Sequence, residues 1–476
     1  MRVFILRYIL FIYFILGLVF NSRSQKYSSS NVLIPVGYVS LEDIYRDEQV
    51  KGLIELKHSF TIRPLIIESN SNLSSIENGQ YYSKKFFNYK KSQINLLPIN
   101  ILQKYNSHHP YGWNDGPLSF SKGYQYLVSG GVYMHWRNIH LTLRPEYFRT
   151  ASDQYETSAD WGQVNPSLNK LILGQSSIRM DLGPVSIGGG SNNLWLGPGY
   201  YSSLIMSNNA EGFGHIKFNT NRPLKTPIGN FELMLMGGSL TQNPSQGAEI
   251  RNLVKSLTST ITRYINVLSF SYEPFFIKNL YLGFNRVFHT YSPKNSSDFK
   301  KDYLLVLNSL FRNQYRDDNV PVDQLLSLYS KYTFPKSNTE IYFEYGLNDG
   351  SSNLRELLTD LSHSSASIFG IRKIQQVNSK NFITITAEAT RMSQTTSYLV
   401  RNAANWYQHS QLYDGFTNEN QILGAGSGFG NDLQTFSVKY GTLINFFGLK
   451  YQHIAQNPRR LVGDVGNAWL GNINWD

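Results

Sequence analysis

Catalysis would require a nucleophile with a base, a set of metal ligands or paired carboxylates. The sequence offers none of these in a recognisable pattern. The 476-residue chain has no Cys, which excludes disulfide scaffolds, thiolate metal sites and cysteine nucleophiles. It contains neither an HExxH zinc helix nor a GxSxG nucleophile turn. The glycine-rich run 424–430 lacks the spacing of a phosphate-binding loop and is predicted to be a turn at a strand end. His108 and His109 have no further ligand at metal-binding spacing. The sequence therefore predicts no enzyme, metal or cofactor.

Sugar binding fits the composition better. It requires flat aromatic faces for the C–H-rich sides of sugar rings, and amides or charges for their hydroxyl groups. The chain has 32 Tyr, 28 Phe and 7 Trp, and 44 Lys and Arg against 33 Asp and Glu. An excess of cations favours anionic exopolysaccharides through long-range attraction and Arg–carboxylate pairs. The equally weighted alternative is that these basic residues lie beside lipid phosphates at a membrane rim.

The segment 193–199, with the sequence NLWLGPG, combines an indole with a tight Gly-Pro-Gly turn. Asn208 and Asn209 follow it and can bond to local backbone. The segment is either a ligand site or a folding element, and the turn chemistry favours the folding role. The candidate polysaccharide-binding or motif residues are Trp195, Gly197, Pro198, Gly199, Ser207, Asn208, Asn209, Arg222, Trp406 and His409.

Short strands must position these residues. Only 16% of the chain is charged, while aromatic residues reach 14% and glycines number 37, a composition typical of strands and turns. Apolar and polar residues alternate from about residue 123 onward, for example in 131–144, 178–182, 341–345 and 383–389. Alternation alone also fits a soluble β-sandwich. The aromatic content and the length of the strand-rich region favour an outer-membrane β-barrel instead.

The N-terminus has the pattern of a cleavable export signal. Arg2 and Arg7 precede an apolar run, and small residues stand at Ser22 and Ser24. An uncleaved membrane anchor is the alternative, because the apolar stretch approaches a spanning length. Cleavage after residue 24 would remove three arginines and leave 41 basic against 33 acidic residues, a net charge of +8.

A helix is predicted from Ser40 to Gly52, with Ser40 as its N-cap and Gly52 ending it. A second stretch, from about Ser69 to Lys104, is polar and basic and shows no clear period. We therefore expect residues 1–24 to be a signal peptide, 25–120 an N-terminal helix and loop region, and 121–476 the barrel.

Several motifs in the chain resemble the Wzi family of capsule assembly outer-membrane proteins, in particular the branch common in Bacteroidetes. The longest lies within residues 174–238 and contains NLWLGPG, then SNNA at 207–210 and NTNRP at 219–223. Upstream are YGWNDG at 111–116 and LRPE at 143–146, and downstream are WYQH at 406–409 and GFTN at 415–418. The resemblance extends over essentially the whole predicted mature chain.

This resemblance implies an all-β transmembrane antiparallel barrel of about 18 strands, with an N-terminal helical element closing its periplasmic side and loops over its outer mouth. It also implies a non-enzymatic, lectin-like protein in the cell outer membrane that binds, retains or helps to assemble capsular or exopolysaccharide. The expected partners are that polysaccharide, including acidic forms, and outer-membrane lipid or lipopolysaccharide, with no nucleic acid. A porin-like channel or transport barrel is the alternative function, and a barrel hydrolase has no motif to support it.

Overall fold

The structure is a computed structural model, and it describes the greater part of the chain between residues 31 and 455. The described residues are 31–37, 39–52, 58–68, 84–89, 92–107, 112, 114–119, 121–151, 169–241, 262–292, 306, 322–348, 362–378, 381–394, 405–409, 412, 415–419, 421–442 and 445–455. The predicted signal peptide and the His108-His109 pair lie outside these residues.

One helix and 25 strands are present in the described ranges. The helix is α1, Val39–Val50, and a single 3-10 turn covers Pro335–Ser337. The strands are β1 Asn31–Ile34, β2 Ile62–Arg63, β3 Leu65–Glu68, β4 Lys84–Tyr89, β5 Ser92–Asn106, β6 Gly123–Trp136, β7 Ile139–Leu143, β8 Glu146–Arg149, β9 Asn169–Ile172, β10 Ser177–Leu182, β11 Val185–Gly190, β12 Trp195–Leu196, β13 His215–Thr220, β14 Leu224–Thr226, β15 Gly229–Leu240, β16 Arg263–Pro274, β17 Leu280–Tyr291, β18 Val322–Phe334, β19 Thr339–Asn348, β20 Ser365–Gln376, β21 Phe382–Arg391, β22 Thr417–Asn418, β23 Gln421–Ile422, β24 Asp432–Gly441 and β25 Phe446–Ala455.

Nineteen strand segments form one sheet that closes on itself. Neighbouring strands pair antiparallel throughout, the last strand β25 lies beside β4, and β10 pairs with both β11 and β7, which joins the two ends of the sheet. Three barrel strands are each interrupted, as β7 and β8, β9 and β10, and β13 and β14. Closure leaves no open sheet edge, as a β-structure in a bilayer requires. The predicted all-β transmembrane antiparallel barrel is confirmed.

The barrel has an apolar exterior and a polar interior. On β20, Phe369 and Ile371 point outward with 53% and 38% of their surface exposed, while Arg372, the residue after Ile371, is buried inside. The same alternation places Ile385 outside and Thr386 inside on β21. Further inward-facing buried polar residues are Asn285, Asp323, Ser327, Lys331, Glu340, Glu344 and Glu388. The predicted alternation is therefore confirmed, and its exposed apolar face suits lipid.

The two ends of the barrel differ in their connections. The connections at one end are short in sequence, and they join β4 to β5, β6 to β7, β10 to β11, β14 to β15, β16 to β17, β18 to β19, β20 to β21, and β24 to β25. The connections at the other end are longer, for example 191–214 and 392–431. Outer-membrane barrels have short periplasmic turns and long external loops, so the short-turn end is assigned to the periplasm.

The helix α1 lies across the short-turn end. Its Val50 packs against Ile374 and Phe382 on the barrel wall. The helix begins at Val39, so Ser40 lies within its first turn and is not the predicted N-cap. Gly52 ends it as predicted, with φ +69° and its N–H donating to the Gln49 carbonyl at 3.0 Å. Among the described residues, no helix is long and apolar enough to cross a membrane.

The predicted boundary between plug and barrel near residue 120 differs from the structure. The strands β4 and β5 belong to the barrel sheet, where β5 pairs with β6 over most of its length. Among the described residues, the first barrel strand is therefore β4. Both strands contain a register shift, between Lys85 and Phe87 in β4 and between Leu97 and Asn100 in β5. Such bulges interrupt the two-residue period, which explains why the sequence shows no clear alternation there.

We predict that Ile371→Arg destabilises the barrel by about 2–4 kcal/mol, because it places a guanidinium on the lipid face near the middle of β20. The matched control is Gln375→Arg, since Gln375 faces outward on the same strand beside the 377–381 turn. Its expected cost is about 0–1 kcal/mol near the interface. Reversible urea unfolding in lipid vesicles measures both values, and equal costs would contradict the assignment of a membrane-facing exterior.

Candidate functional site in the barrel lumen

The NLWLGPG segment lies inside the barrel. Its Trp195 and Leu196 form β12, which pairs with β2 in the N-terminal region. The N–H of Gly197 donates to the Thr61 carbonyl at 2.8 Å. Gly197 has φ +139°, and a Cβ there would lie 2.7 Å from Glu344 Oε2 on the barrel wall. The position therefore requires glycine, both for its backbone conformation and for its close approach to the wall.

Two arginines bind the carbonyls of the Gly-Pro-Gly turn. Arg46 on α1 donates from Nη2 to the Pro198 carbonyl at 2.7 Å. Arg63 on β2 donates from Nη2 to the Gly199 carbonyl at 3.2 Å, and its guanidinium lies 4.3 Å from the Trp195 ring centre. Burial lowers the pKa of Arg63 to about 10, while Glu42 opposes this shift. The turn is thus held by charge-assisted bonds from the N-terminal region.

The same helix is bound to the barrel wall by buried ion pairs. Arg46 Nε lies 2.7 Å from Glu340 Oε1 on β19, and Asp47 pairs with Arg372 on β20. Lys331 on β18 adds a second cation 3.5 Å from Glu340. Burial raises the pKa of Asp47 to about 6, and Arg372 acts against that rise. Breaking one partner of such a buried pair leaves an uncompensated charge in a low-dielectric interior.

Tyr200 and Tyr201 extend the contact to the adjoining wall strands β21 and β24. Their backbone N–H groups donate to Glu388 Oε2 at 2.8 and 3.0 Å. The Tyr200 hydroxyl donates to Asp43 on α1 at 2.8 Å, and Lys439 on β24 also donates to Asp43 at 2.8 Å. Burial raises the pKa of Tyr200 well above its ordinary value. The hydroxyl therefore remains a hydrogen-bond donor.

The SNNA block joins the 191–214 loop to the 405–431 segment. Ser207 donates to the Gly424 carbonyl at 2.6 Å, and Asn209 donates to the Ile422 carbonyl at 3.0 Å. Asn208 donates to the Asn114 carbonyl at 3.0 Å. These amides and hydroxyls donate hydrogen bonds to backbone carbonyls of neighbouring loops.

Trp406 and His409 lie in that second segment, at the long-loop end. Trp406 is fully buried and belongs to the main hydrophobic cluster with Leu204 and Tyr407. The Tyr407 hydroxyl donates to the Leu204 carbonyl at 2.8 Å. His409 is partly exposed, and its Nδ1 accepts the Leu412 N–H at 3.3 Å. Of these two candidates, only His409 reaches solvent.

Arg222 is separated from the other candidates. It follows Asn221, which donates from its side chain to the Gly183 carbonyl at 2.9 Å in a short turn. The Arg222 side chain is exposed at this end of the barrel. The structure thus brings the 195–199 and 207–209 residues together in the lumen and leaves Arg222 at the periplasmic end.

Sequence reasoning missed the lumenal ion pairs and a neighbouring cavity. The cavity has a volume of about 400 Å³ and lies between α1, the Trp195–Tyr201 segment and the β24–β25 hairpin. The alternation of outward and inward side chains along β24 places Lys439 on the inward, polar face. The charged residues of that face could therefore be predicted from the sequence. Their partners could not, because these come from distant segments such as α1.

No group of three or more His, Asp or Glu residues that could hold a metal ion occurs in the part of the chain that the structure describes. The glycine-rich run 424–430 forms the turn that leads into β24, as predicted, with φ values of +108° at Gly428 and +66° at Gly430. At Gly424 a Cβ would lie 2.2 Å from the Tyr407 hydroxyl oxygen. The run therefore serves close packing.

Three solved structures that are similar to this chain differ in how closely they match it. The Escherichia coli protein Wzi, described as an outer-membrane protein involved in group 1 capsule assembly and as a carbohydrate-binding β-barrel, shares 13% identity with a TM-score of 0.62, covering 90% of this chain and 87% of that chain. OprB of Pseudomonas putida shares 10% identity over 80% of this chain and 91% of its own, with a TM-score of 0.36. OmpT of Vibrio cholerae shares 9% identity over 78% and 99%, with a TM-score of 0.27. The first similarity supports the fold, and the other two are too weak to support an argument.

No curated protein sequence matches the chain significantly. The family model described as capsule assembly protein Wzi, however, matches residues 106–459. This range includes the whole NLWLGPG and SNNA region and most of the barrel strands. The chain therefore belongs to the Wzi family of capsule assembly proteins.

Proposed function

We propose that this protein is an outer-membrane β-barrel that binds capsular or exopolysaccharide and retains it or helps to assemble it at the cell surface. The observation that carries the proposal is the membership of the capsule assembly family over residues 106–459. The apolar exterior of the barrel supports its place in the outer membrane. The E. coli barrel with the same fold is described as carbohydrate-binding, and we extend that property to this chain.

A binding role is favoured over a channel because protein segments fill the lumen from both ends. The helix α1 enters at the short-turn end, and the 191–214 loop enters from the long-loop end. The two meet where Arg46 bonds to the Pro198 and Gly199 carbonyls at 2.7 and 3.4 Å. A diffusion channel requires a water-filled lumen, as in porins. The porin-like alternative is therefore weaker.

We propose binding without catalysis, in agreement with the sequence, which lacks the hydrolase motifs considered above. Residues 1–24 are proposed to be a cleaved signal peptide, and residues 31–68 the lumenal plug of a barrel whose first described strand is β4. Weak affinity for each sugar unit would be reinforced by many repeats along one polymer.

The polymer is proposed to bind at the long-loop end, near the 405–431 segment. Several of the candidate residues predicted from the sequence, including Trp406, Ser207 and Asn209, contact other parts of this chain and support that surface from below. His409 is the candidate nearest to solvent there. The net charge of +8 expected after cleavage favours acidic polymers. Exposed Arg222, at the opposite end, suits lipid phosphates.

We predict that the purified barrel binds the acidic exopolysaccharide extracted from its own host, and that the affinity falls at least about threefold between 0.1 and 1 M salt. The reason is that the screening length shortens from about 10 to about 3 Å over this range. Biolayer interferometry with immobilised polymer measures the affinity, and neutral dextran serves as the control ligand. An absence of binding at every salt concentration would contradict the proposed function.

We further predict that Arg46→Ala raises the ion conductance of the barrel in planar bilayers several-fold. The substitution removes the bonds from α1 to the Pro198 carbonyl and leaves Glu340 without its arginine, at a cost of about 3–5 kcal/mol. The wild-type protein is expected to conduct little, and Lys336→Ala in the exposed 335–338 turn should behave as the wild type. A wild-type conductance typical of open porins would instead support the channel alternative.

A further inference from the structure

The cavity of about 400 Å³ beside α1 has the size and chemistry of a binding site for a sugar. Ligand pockets in proteins typically measure about 300–1,000 Å³. Aromatic side chains of Phe60, Trp195, Tyr200, Tyr201 and Phe446 contribute to its walls. Aromatic faces of this kind pack against the C–H-rich sides of pyranose rings, while edges of the ring remain free for hydrogen bonds.

The charges around the cavity are unbalanced. Four basic residues, Arg46, Arg63, Lys439 and Lys450, line it with two acidic ones, Glu42 and Asp43. Three of these cations have acidic partners: Arg63 lies 3.5 Å from Glu42, Lys439 lies 2.8 Å from Asp43, and Arg46 lies 2.7 Å from Glu340 on the wall. Lys450 is the fourth cation. A ligand that enters this space therefore meets an excess of positive charge, which favours an anion.

Lys450 is the cation available to such a ligand. It stands in the middle of β25, opposite Ser437 of β24, and its ammonium lies 5.7 Å from the Tyr201 ring centre. Within the described ranges it forms neither an ion pair nor a hydrogen bond. Asp115 interacts electrostatically with Lys450, but its carboxylate is already paired with the Lys104 ammonium at 2.7 Å.

The ring of Trp195 also belongs to the cavity wall. Its neighbours there include Tyr200 and Tyr201, so several aromatic side chains surround the space that the Lys450 ammonium faces. The cavity thus combines an ammonium and aromatic faces, which together match a carboxylate-bearing sugar.

We infer that this cavity binds an acidic sugar unit, such as a uronic acid, through a pair between Lys450 and the sugar carboxylate. This inference deepens the proposed function and rests on it, because it adds to the outer surface a lumenal site for one acidic unit of the polymer. The site lies inside the barrel, between α1, the 191–214 loop and the β24–β25 hairpin. No described residue of the 405–431 segment lines it, so it is distinct from the surface where polymer binding is proposed.

The test measures binding of short oligosaccharides to the full-length barrel in detergent by calorimetry. Trigalacturonate is expected to bind to the wild type, and neutral maltotriose to bind at least about tenfold more weakly. Lys450→Met, which keeps the length of the side chain and removes the charge, should lower trigalacturonate affinity at least about tenfold. Lys450→Arg should retain most of the affinity, and Lys336→Met, an exposed lysine outside the cavity, should behave as the wild type.

Two controls keep the result interpretable. The Lys450→Met barrel must show the same heat-dependent change in gel mobility as the wild type, which demonstrates that it is folded. The Lys450→Arg barrel tests the positive charge independently of side-chain identity. Equal trigalacturonate binding by the wild type and Lys450→Met, or equal binding of the neutral and acidic sugars, would overturn the inference. If the wild type captures its host polysaccharide and Lys450→Met leaves trigalacturonate binding unchanged, the cavity site is rejected and the proposed function stands. If the wild type fails to bind the polysaccharide at all, the proposed function itself fails.

Discussion

The buried guanidinium of Arg46 connects the three parts on which the lumen depends. It bonds to Glu340 on the barrel wall and to the Pro198 and Gly199 carbonyls of the NLWLGPG segment, while its own backbone belongs to α1. Each of these partners is buried, and none has bulk water as a substitute. Because a buried charge is stable only when paired and hydrogen-bonded, wall, loop and helix must all be in place together.

A membrane barrel makes this dependence stronger than a soluble protein would. Its apolar side chains face lipid, so the side chains that remain for the interior are polar, and a filled interior must satisfy them. Lys331, Arg372 and Glu388 on the wall obtain their partners from α1, from residues 58–63 and from the 195–201 segment. The plug and the loop therefore supply the hydrogen-bond partners of the polar wall residues. The same need for partners explains why the lumen is filled, and a filled lumen argues against a channel.

The sequence alone predicted the parts of the fold that follow from a local period. The two-residue repeat of a strand sets the opposite orientations of Ile371 and Arg372, and likewise those of Ile385 and Thr386. The first described barrel strands, β4 and β5, were missed because bulges at Lys85 and Leu97 shift that repeat. The pairing of Asp43 with Lys439 could not be predicted either, since nearly 400 positions separate the two residues and no local rule connects a helix to a distant strand. Family resemblance supplied the architecture, but it did not reveal which motif residues are engaged within the chain.

The distinction between engaged and available groups also changes how the motif should be interpreted. Gly197, Ser207 and Asn209 have their polar groups bonded to the Thr61, Gly424 and Ile422 carbonyls, so exchanging these bonds for bonds to a sugar would bring little net gain. Substituting them would disturb the fold and reduce binding only indirectly. Specificity for a ligand must come instead from groups that the fold leaves available, and such groups need not lie in the most recognisable motif. The ammonium of Lys450 belongs to an ordinary strand position, which only the closed barrel brings beside Trp195 and Tyr201.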